Sequence, residues 1–120
     1  MSIKNFLEIT PSASQCHGGE GLVKIASVYE KKELRSPLQF IHYTVLPPKT
    51  SIGSHPHTND EEVYVVLEGS GVMEVDGGRH PVKSGDVVLN KPYGTHALRN
   101  DSETAELKIL VFCAANKIGK

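Results

Sequence analysis

The 120-residue chain predicts a single all-β barrel, and three observations carry that reading. Short runs rich in Val, Ile, Tyr and Leu recur along it, clusters of Gly, Pro, Asn and Asp separate them, and no segment shows a helical period. The length suits one domain, 1–120, comprising an N-terminal arm of about residues 1–21 and a barrel of about residues 22–115.

The first run, Leu22–Tyr29, follows the glycine-rich segment Cys16-His17-Gly18-Gly19-Glu20-Gly21. After it, Glu30-Lys31-Lys32-Glu33 before Pro37 reads as a solvated loop. Leu38–Leu46 is the second run and stops at Pro47-Pro48. Glu62–Glu68 alternates and ends at Gly69-Ser70. Gly71–Val75 and Arg79–Val82 flank Asp76-Gly77-Gly78, the strongest hairpin signal in the chain, because those residues tolerate the positive φ of tight turns. Lys83-Ser84-Gly85 then introduces Asp86–Leu89. The Pro/Gly-marked turn before Thr95 leads into His96–Asn100, and Asp101-Ser102 separates that run from Glu106–Phe112.

Composition excludes several partners. With 13 basic and 14 acidic side chains the formal charge is -1, so neither nucleic acid nor an anionic membrane is an expected partner. Cys16 and Cys113 have neither metal-finger nor redox spacing, and two cysteines do not make a disulfide scaffold. The first eight residues hold no apolar signal core, and the longest apolar run, Ile109 to Ala115, is too short to span a bilayer. A soluble, cytoplasmic protein is the expectation.

One stretch looks like chemistry: His55-Pro56-His57-Thr58-Asn59-Asp60-Glu61-Glu62. Strand side chains at i and i+2 share a face about 6–7 Å apart, so His55 and His57 point the same way. A turn at Thr58-Asn59-Asp60 is expected to return the next strand antiparallel beside them, bringing Glu62 to both imidazoles. Two imidazoles and a carboxylate on one wall suit a divalent transition metal with open positions for water or substrate. Downstream, His96 supplies a fourth donor. Glu61 competes with Glu62, but Glu62 leads the alternating strand and keeps a seven-position offset to Gly69.

These residues resemble the two motifs of the cupin superfamily, in the family's order. In the first motif, His-x-His is followed by Glu and then Gly, and His57, Glu62 and Gly69 keep that spacing, while Gly53 stands closer to His55 than the pattern has it. The second motif matches Gly85, Pro92, Gly94, His96 and Asn100, with one residue fewer between the Pro-x-Gly turn and the histidine. The resemblance implies a double-stranded β-helix, or jelly roll, with ligands converging inside. It also implies one divalent transition metal (Mn, Fe, Ni, Co or Zn) held by His55, His57, Glu62 and His96, and a homodimer formed through N-terminal strands. The segment His17 to Gly21 is similar to one in small oxalate-decarboxylase-like cupins. There it reads as a bend that lets the N-terminal strand cross to a neighbouring subunit, with no metal role for His17.

Tyr64, two residues beyond Glu62 on the same strand face, points toward the same interior. It reads either as an acid, base or substrate donor, or as a buried core tyrosine. In cupin-type dimethylsulfoniopropionate lyases, which this segment resembles, a matching tyrosine acts as base. His42 can face the cavity or the solvent, whereas His80 and Arg79 read as surface. Arg99 lies an odd step from His96 and so points away from the ligand face that Leu98 and Asn100 share, which leaves no interior cation to hold a dianion other than the metal. Cys113 reads as a small buried hydrophobe. The leading expectation is a metalloenzyme acting on a small carboxylate or sugar acid by Lewis-acid chemistry, as lyase, isomerase or decarboxylase, or as dioxygenase if the metal is iron. The alternative is a non-catalytic cupin that binds a small metabolite as a sensor or accessory protein.

Overall fold

A computed structural model of the chain describes residues 1–56 and 58–115 and contains, among them, ten strands in two antiparallel sheets. The strands are β1 (Ser12–Ser14), β2 (Val23–Glu30), β3 (Leu38–Leu46), β4 (Ser51–Pro56), β5 (Asp60–Glu68), β6 (Ser70–Val75), β7 (Gly78–Lys83), β8 (Val87–Asn90), β9 (Thr95–Arg99) and β10 (Leu107–Ala115). Six form one sheet in the order β1-β2-β3-β10-β5-β8, and four form the other in the order β4-β9-β6-β7. The only helical turns among the described residues are three short 3-10 turns at Phe6–Glu8, Cys16–Gly18 and Lys31–Glu33. The all-β jelly roll expected from the sequence is the observed fold.

Alternation along each strand supplies the core. Val66 on β5, Met73 on β6, Leu98 on β9, Leu46 on β3, and Leu107 and Ile109 on β10 turn inward and are almost wholly buried. Each such side chain contributes about 1.5–3 kcal/mol relative to exposure. A second, smaller cluster lies on the outside of the six-stranded sheet. There Ala26, Val28 and Tyr43 are covered by Phe6 and Ile9, and the Phe6 and Tyr43 rings stand 4.4 Å apart. The N-terminal arm thus folds back on its own sheet, and β1 pairs with β2 of the same chain, Ser12 opposite Ile25.

Leu38–Leu46 is a strand with the predicted bounds, and the Asp76-Gly77 hairpin forms as its chemistry requires. Val75 pairs with Gly78, leaving a two-residue loop in which Asp76 and Gly77 have φ of 47° and 85°. The loop expected at Glu30–Glu33 contains a 3-10 turn, closed where the Glu33 carboxylate accepts from the Glu30 N–H at 3.3 Å. An ion pair with Lys4 holds the Glu33 carboxyl below the usual range and anchors the arm. Two strands fall outside the runs read from sequence, β1 and β4. Their Ser, Ala, Gly and Pro content gives little apolar alternation.

Candidate metal centre

The site forms at one end of the barrel, where strands of both sheets present polar residues inward. His55 of β4 and His96 of β9 are direct cross-strand partners, with ring centroids 4.7 Å apart. Glu62 and Tyr64 come from β5 in the opposite sheet. This corrects the expected hairpin: the chain leaves the turn after β4 into the other sheet, so Glu62 meets the histidines across the barrel interior instead of beside them. The antiparallel neighbours of β5 are β10 and β8, and that of β4 is β9. The reason is non-local pairing, since β4 is satisfied by a strand some 40 residues downstream.

A bulge sets the aim of His55. Ile52 pairs with Leu98 and His55 with His96, so three steps on β4 match two on β9. Strict alternation would place Ile52 and His55 on opposite faces, and the bulge turns both inward. The same irregularity brings the Gly53 carbonyl to 2.8 Å from His55 Nδ1. A carbonyl only accepts, so Nδ1 carries the proton and Nε2 presents its lone pair.

His55, Glu62 and His96 each offer a donor atom within 4.8 Å of the others. His96 Nε2 lies 3.0 Å from Glu62 Oε1, and both side chains are buried. Two donors each about 2.1 Å from an ion, at a right angle, stand about 3.0 Å apart, so this pair has the separation of adjacent ligands. Imidazole with carboxylate suits first-row divalent metals, and the donor set fits one. His57, the other predicted ligand, lies outside the described residues. Glu61 is exposed and Glu62 buried, as opposite strand faces require, which favours Glu62 of the two carboxylates.

Tyr64 is 2% exposed, with Oη 3.3 Å from His96 Nε2. Burial, and then the Glu62 carboxylate, push its phenol well above the ordinary range, whereas a cation beside it acts in the opposite sense. Burial and Glu62 likewise raise the Cys16 thiol. Cys16, His17, Phe40, His42, Glu62 and Tyr64 share the lining of a cavity of about 200 Å3, which puts His42 on the cavity side. At the rim, His42 stacks on Phe40 at 4.0 Å and lies 3.3 Å from Glu30 Oε2.

The sequence places His17 only in a glycine-rich bend, yet its ring stacks on His55 at 3.6 Å with an 11° interplanar angle. Two glycines make that contact possible. A Cβ on Gly19 would stand 2.1 Å from the Ser51 carbonyl oxygen, and one on Gly53 would stand 2.1 Å from that of His17. Gly53, displaced from the motif position, is therefore where the N-terminal segment docks. Asn100 serves the fold: its Nδ2 donates to the carbonyls of Leu46 and Ala105, each at 2.9 Å, and its Oδ1 accepts from the Ser102 N–H. Arg99 points away, pairing with Glu20 and Asp101 at 2.7 Å. The shortened turn keeps His96 buried and facing inward, held by Thr95 N–H donation to Asp76 Oδ1 at 2.9 Å. The residue not singled out in the sequence is Asn90. It sits directly opposite Glu62 on β8, one position beyond where the predicted run stopped.

A two-sheet jelly roll with imidazoles and a carboxylate converging at one end defines a small cupin-type barrel. The family described as Cupin domain (Cupin_2) matches residues 42–113, and this chain belongs to it. The chain is 34% identical over 98 residues to the oxalate-binding protein of Thermotoga maritima, with 81% of each chain covered. It matches the crystal structure of a predicted oxalate decarboxylase from Thermotoga maritima with a TM-score of 0.90 at 30% identity, over 95% of this chain and 99% of that one. A polyketide cyclase from Streptomyces resistomycificus shares the fold alone, with a TM-score of 0.81 at 15% identity over 100% of this chain and 87% of that one. No helix of the described residues is long and apolar enough to cross a membrane.

Proposed function

We propose that this cupin holds one divalent transition metal (Mn, Fe, Ni, Co or Zn) through His55, His57, Glu62 and His96. It binds a small carboxylate or sugar-acid ligand at the ion and acts on it. The observation that carries the reading is the convergence of three buried or half-buried donors within 4.8 Å. Bound there, the ion supplies Lewis acidity toward a carboxylate, carbonyl or hydroxyl oxygen of the ligand.

The chain's own residues do the rest. The Gly53 carbonyl fixes the His55 tautomer, a role that outer partners of metal-ligating imidazoles commonly serve. Tyr64 Oη, 3.3 Å from His96 Nε2, is the group that holds or moves a proton at the ligand. The apolar residues beneath, Val66 and Ile109 among them, keep water from the inner side. With that inventory the chemistry is a proton transfer at a polarised small acid, with lyase, isomerase or decarboxylase outcomes.

A non-catalytic binding role is the second reading, and the observation favouring it is the relative described as an oxalate-binding protein. Elemental analysis of the purified protein beside His55→Ala/His96→Ala tests the site. About one metal equivalent per chain, lost in the variant, supports it, and a wild type that takes up none of the five metals overturns it. Incubating the loaded protein with short carboxylates, keto acids and sugar acids then separates the two roles, because an enzyme consumes one of them while a binder only gains thermal stability. The homodimer through N-terminal strands belongs to the same proposal. Sedimentation of the full chain against one lacking residues 1–14 checks it.

A further inference from the structure

We propose that Asn90 is a ligand-recognition residue of this site, one that selects 2-hydroxy acids over dicarboxylate dianions. The inference rests on the metal reading above and names its substrate class. Asn90 is 3% exposed, and both its Nδ2 and its Oδ1 are buried without a hydrogen-bond partner among the described residues. A carboxamide so placed costs folding free energy unless something pairs with it. It lies beside the site: Asn90 is the cross-strand partner of Glu62, so their side chains share a face about 5 Å apart at Cβ. With His96, Asp76, Thr95 and Tyr93 it lines a cavity of about 420 Å3, within the range of small-molecule sites.

The chemistry of the amide picks the ligand. Nδ2 needs an acceptor and Oδ1 needs a donor. A 2-hydroxy acid supplies both, an oxygen of its carboxylate and the proton of its hydroxyl. Oxalate offers acceptors alone and leaves Oδ1 facing oxygen. Among the described residues the cation lining this cavity is Lys91, and it is exposed, so nothing buried compensates a second carboxylate.

The test is calorimetric titration of glycolate and of oxalate into the Mn-loaded full chain, with metal content and melting temperature read alongside, for wild type, Asn90→Leu and Asn90→Ala. The proposal expects both variants to keep the wild-type metal content, and Asn90→Leu to melt no lower than wild type because it removes an unpaired amide. It expects glycolate affinity to fall about ten- to hundredfold in each variant, the usual consequence of removing a hydrogen bond to a charged ligand, while oxalate affinity moves less than about threefold. A wild type that takes up no metal overturns the metal reading and this inference with it. A loaded wild type that binds no glycolate, or binds it as tightly without Asn90, overturns this inference alone. A fall in melting temperature with unchanged affinities also overturns it and assigns Asn90 to the fold.

Discussion

The two ends of the barrel are built from the same strands and do opposite things. On β5, Val66 lies in the apolar cluster while Tyr64 and Glu62 reach the site. On β9 the inward pair is Leu98 and His96, and on β4 it is Ile52 and His55. On β10, Leu107 and Ile109 belong to the dry end, and Cys113 pairs with Glu62 at the wet one. Along β4, β5 and β9 the inward face thus runs from hydrocarbon to donor atoms within two or three residues. Burial that stabilises the fold and burial that costs it are kept apart along the strand axis, so damage at one end should spare the other.

Substitutions at the two ends sharpen that contrast. The largest effect is expected for His96→Ala. Metal content should drop from about one equivalent to near none, while the melting temperature of the metal-free protein shifts by only a few degrees, since the loss removes a polar contact and not the apolar core. Leu107→Ala should do the reverse, costing about 2–5 kcal/mol in denaturant unfolding with metal stoichiometry unchanged. If Leu107→Ala also empties the site, the two ends are coupled and the separation fails.

Gly19→Ala probes the seam between them. Its Cβ would meet the Ser51 carbonyl at 2.1 Å, so the segment bearing His17 must move. Destabilisation of about 1–3 kcal/mol and weaker metal binding through the lost His17–His55 stack are expected, measurable by urea titration and competition with a chelator. Tyr64→Phe should leave the stability within about 1 kcal/mol and the metal in place, and abolish any turnover found.

The smallest effect concerns pH. Burial, and then Asp60, raise the Cys113 thiol to about 12. The folded chain therefore keeps this proton where the unfolded chain releases it, near pH 9. By linkage the contribution is fully present below about pH 9 and is lost as pH rises toward 12. Cys113→Val should flatten the stability curve over that window, as thermal melts across it would reveal.

The strand framework was more legible in the sequence than the site it carries. Leu38–Leu46 and the Asp76-Gly77 hairpin follow from local alternation and from residues that accept positive φ, and local chemistry is what a sequence displays. Glu62, Tyr64 and His96 were legible as a set because strand parity and motif spacing agree on them. The partners of those residues were not. The pairing of His55 with His96 spans 41 positions, the stack of His17 on His55 depends on two facing glycines, and Asn90 matters only through register with Glu62. Each is a tertiary coincidence with no local pattern to announce it. The expectation that β5 returns beside β4 failed for the same reason, since a short turn permits a hairpin without obliging one.

The bulge in β4 carries a consequence for heredity. Between Ile52 and His55 the strand holds one residue more than its partner needs, and Gly53, at that point, lends its carbonyl to the His55 ring. Loss of a single codon there would close the ladder into a regular one and still leave His55 across from His96. The shortened protein would lose the seat of the N-terminal segment at Gly53, and its imidazole would be free to carry its proton on either nitrogen. A lesion of that kind leaves the rest of the ladder paired and strikes the fit between arm and barrel on which the His55 ring rests.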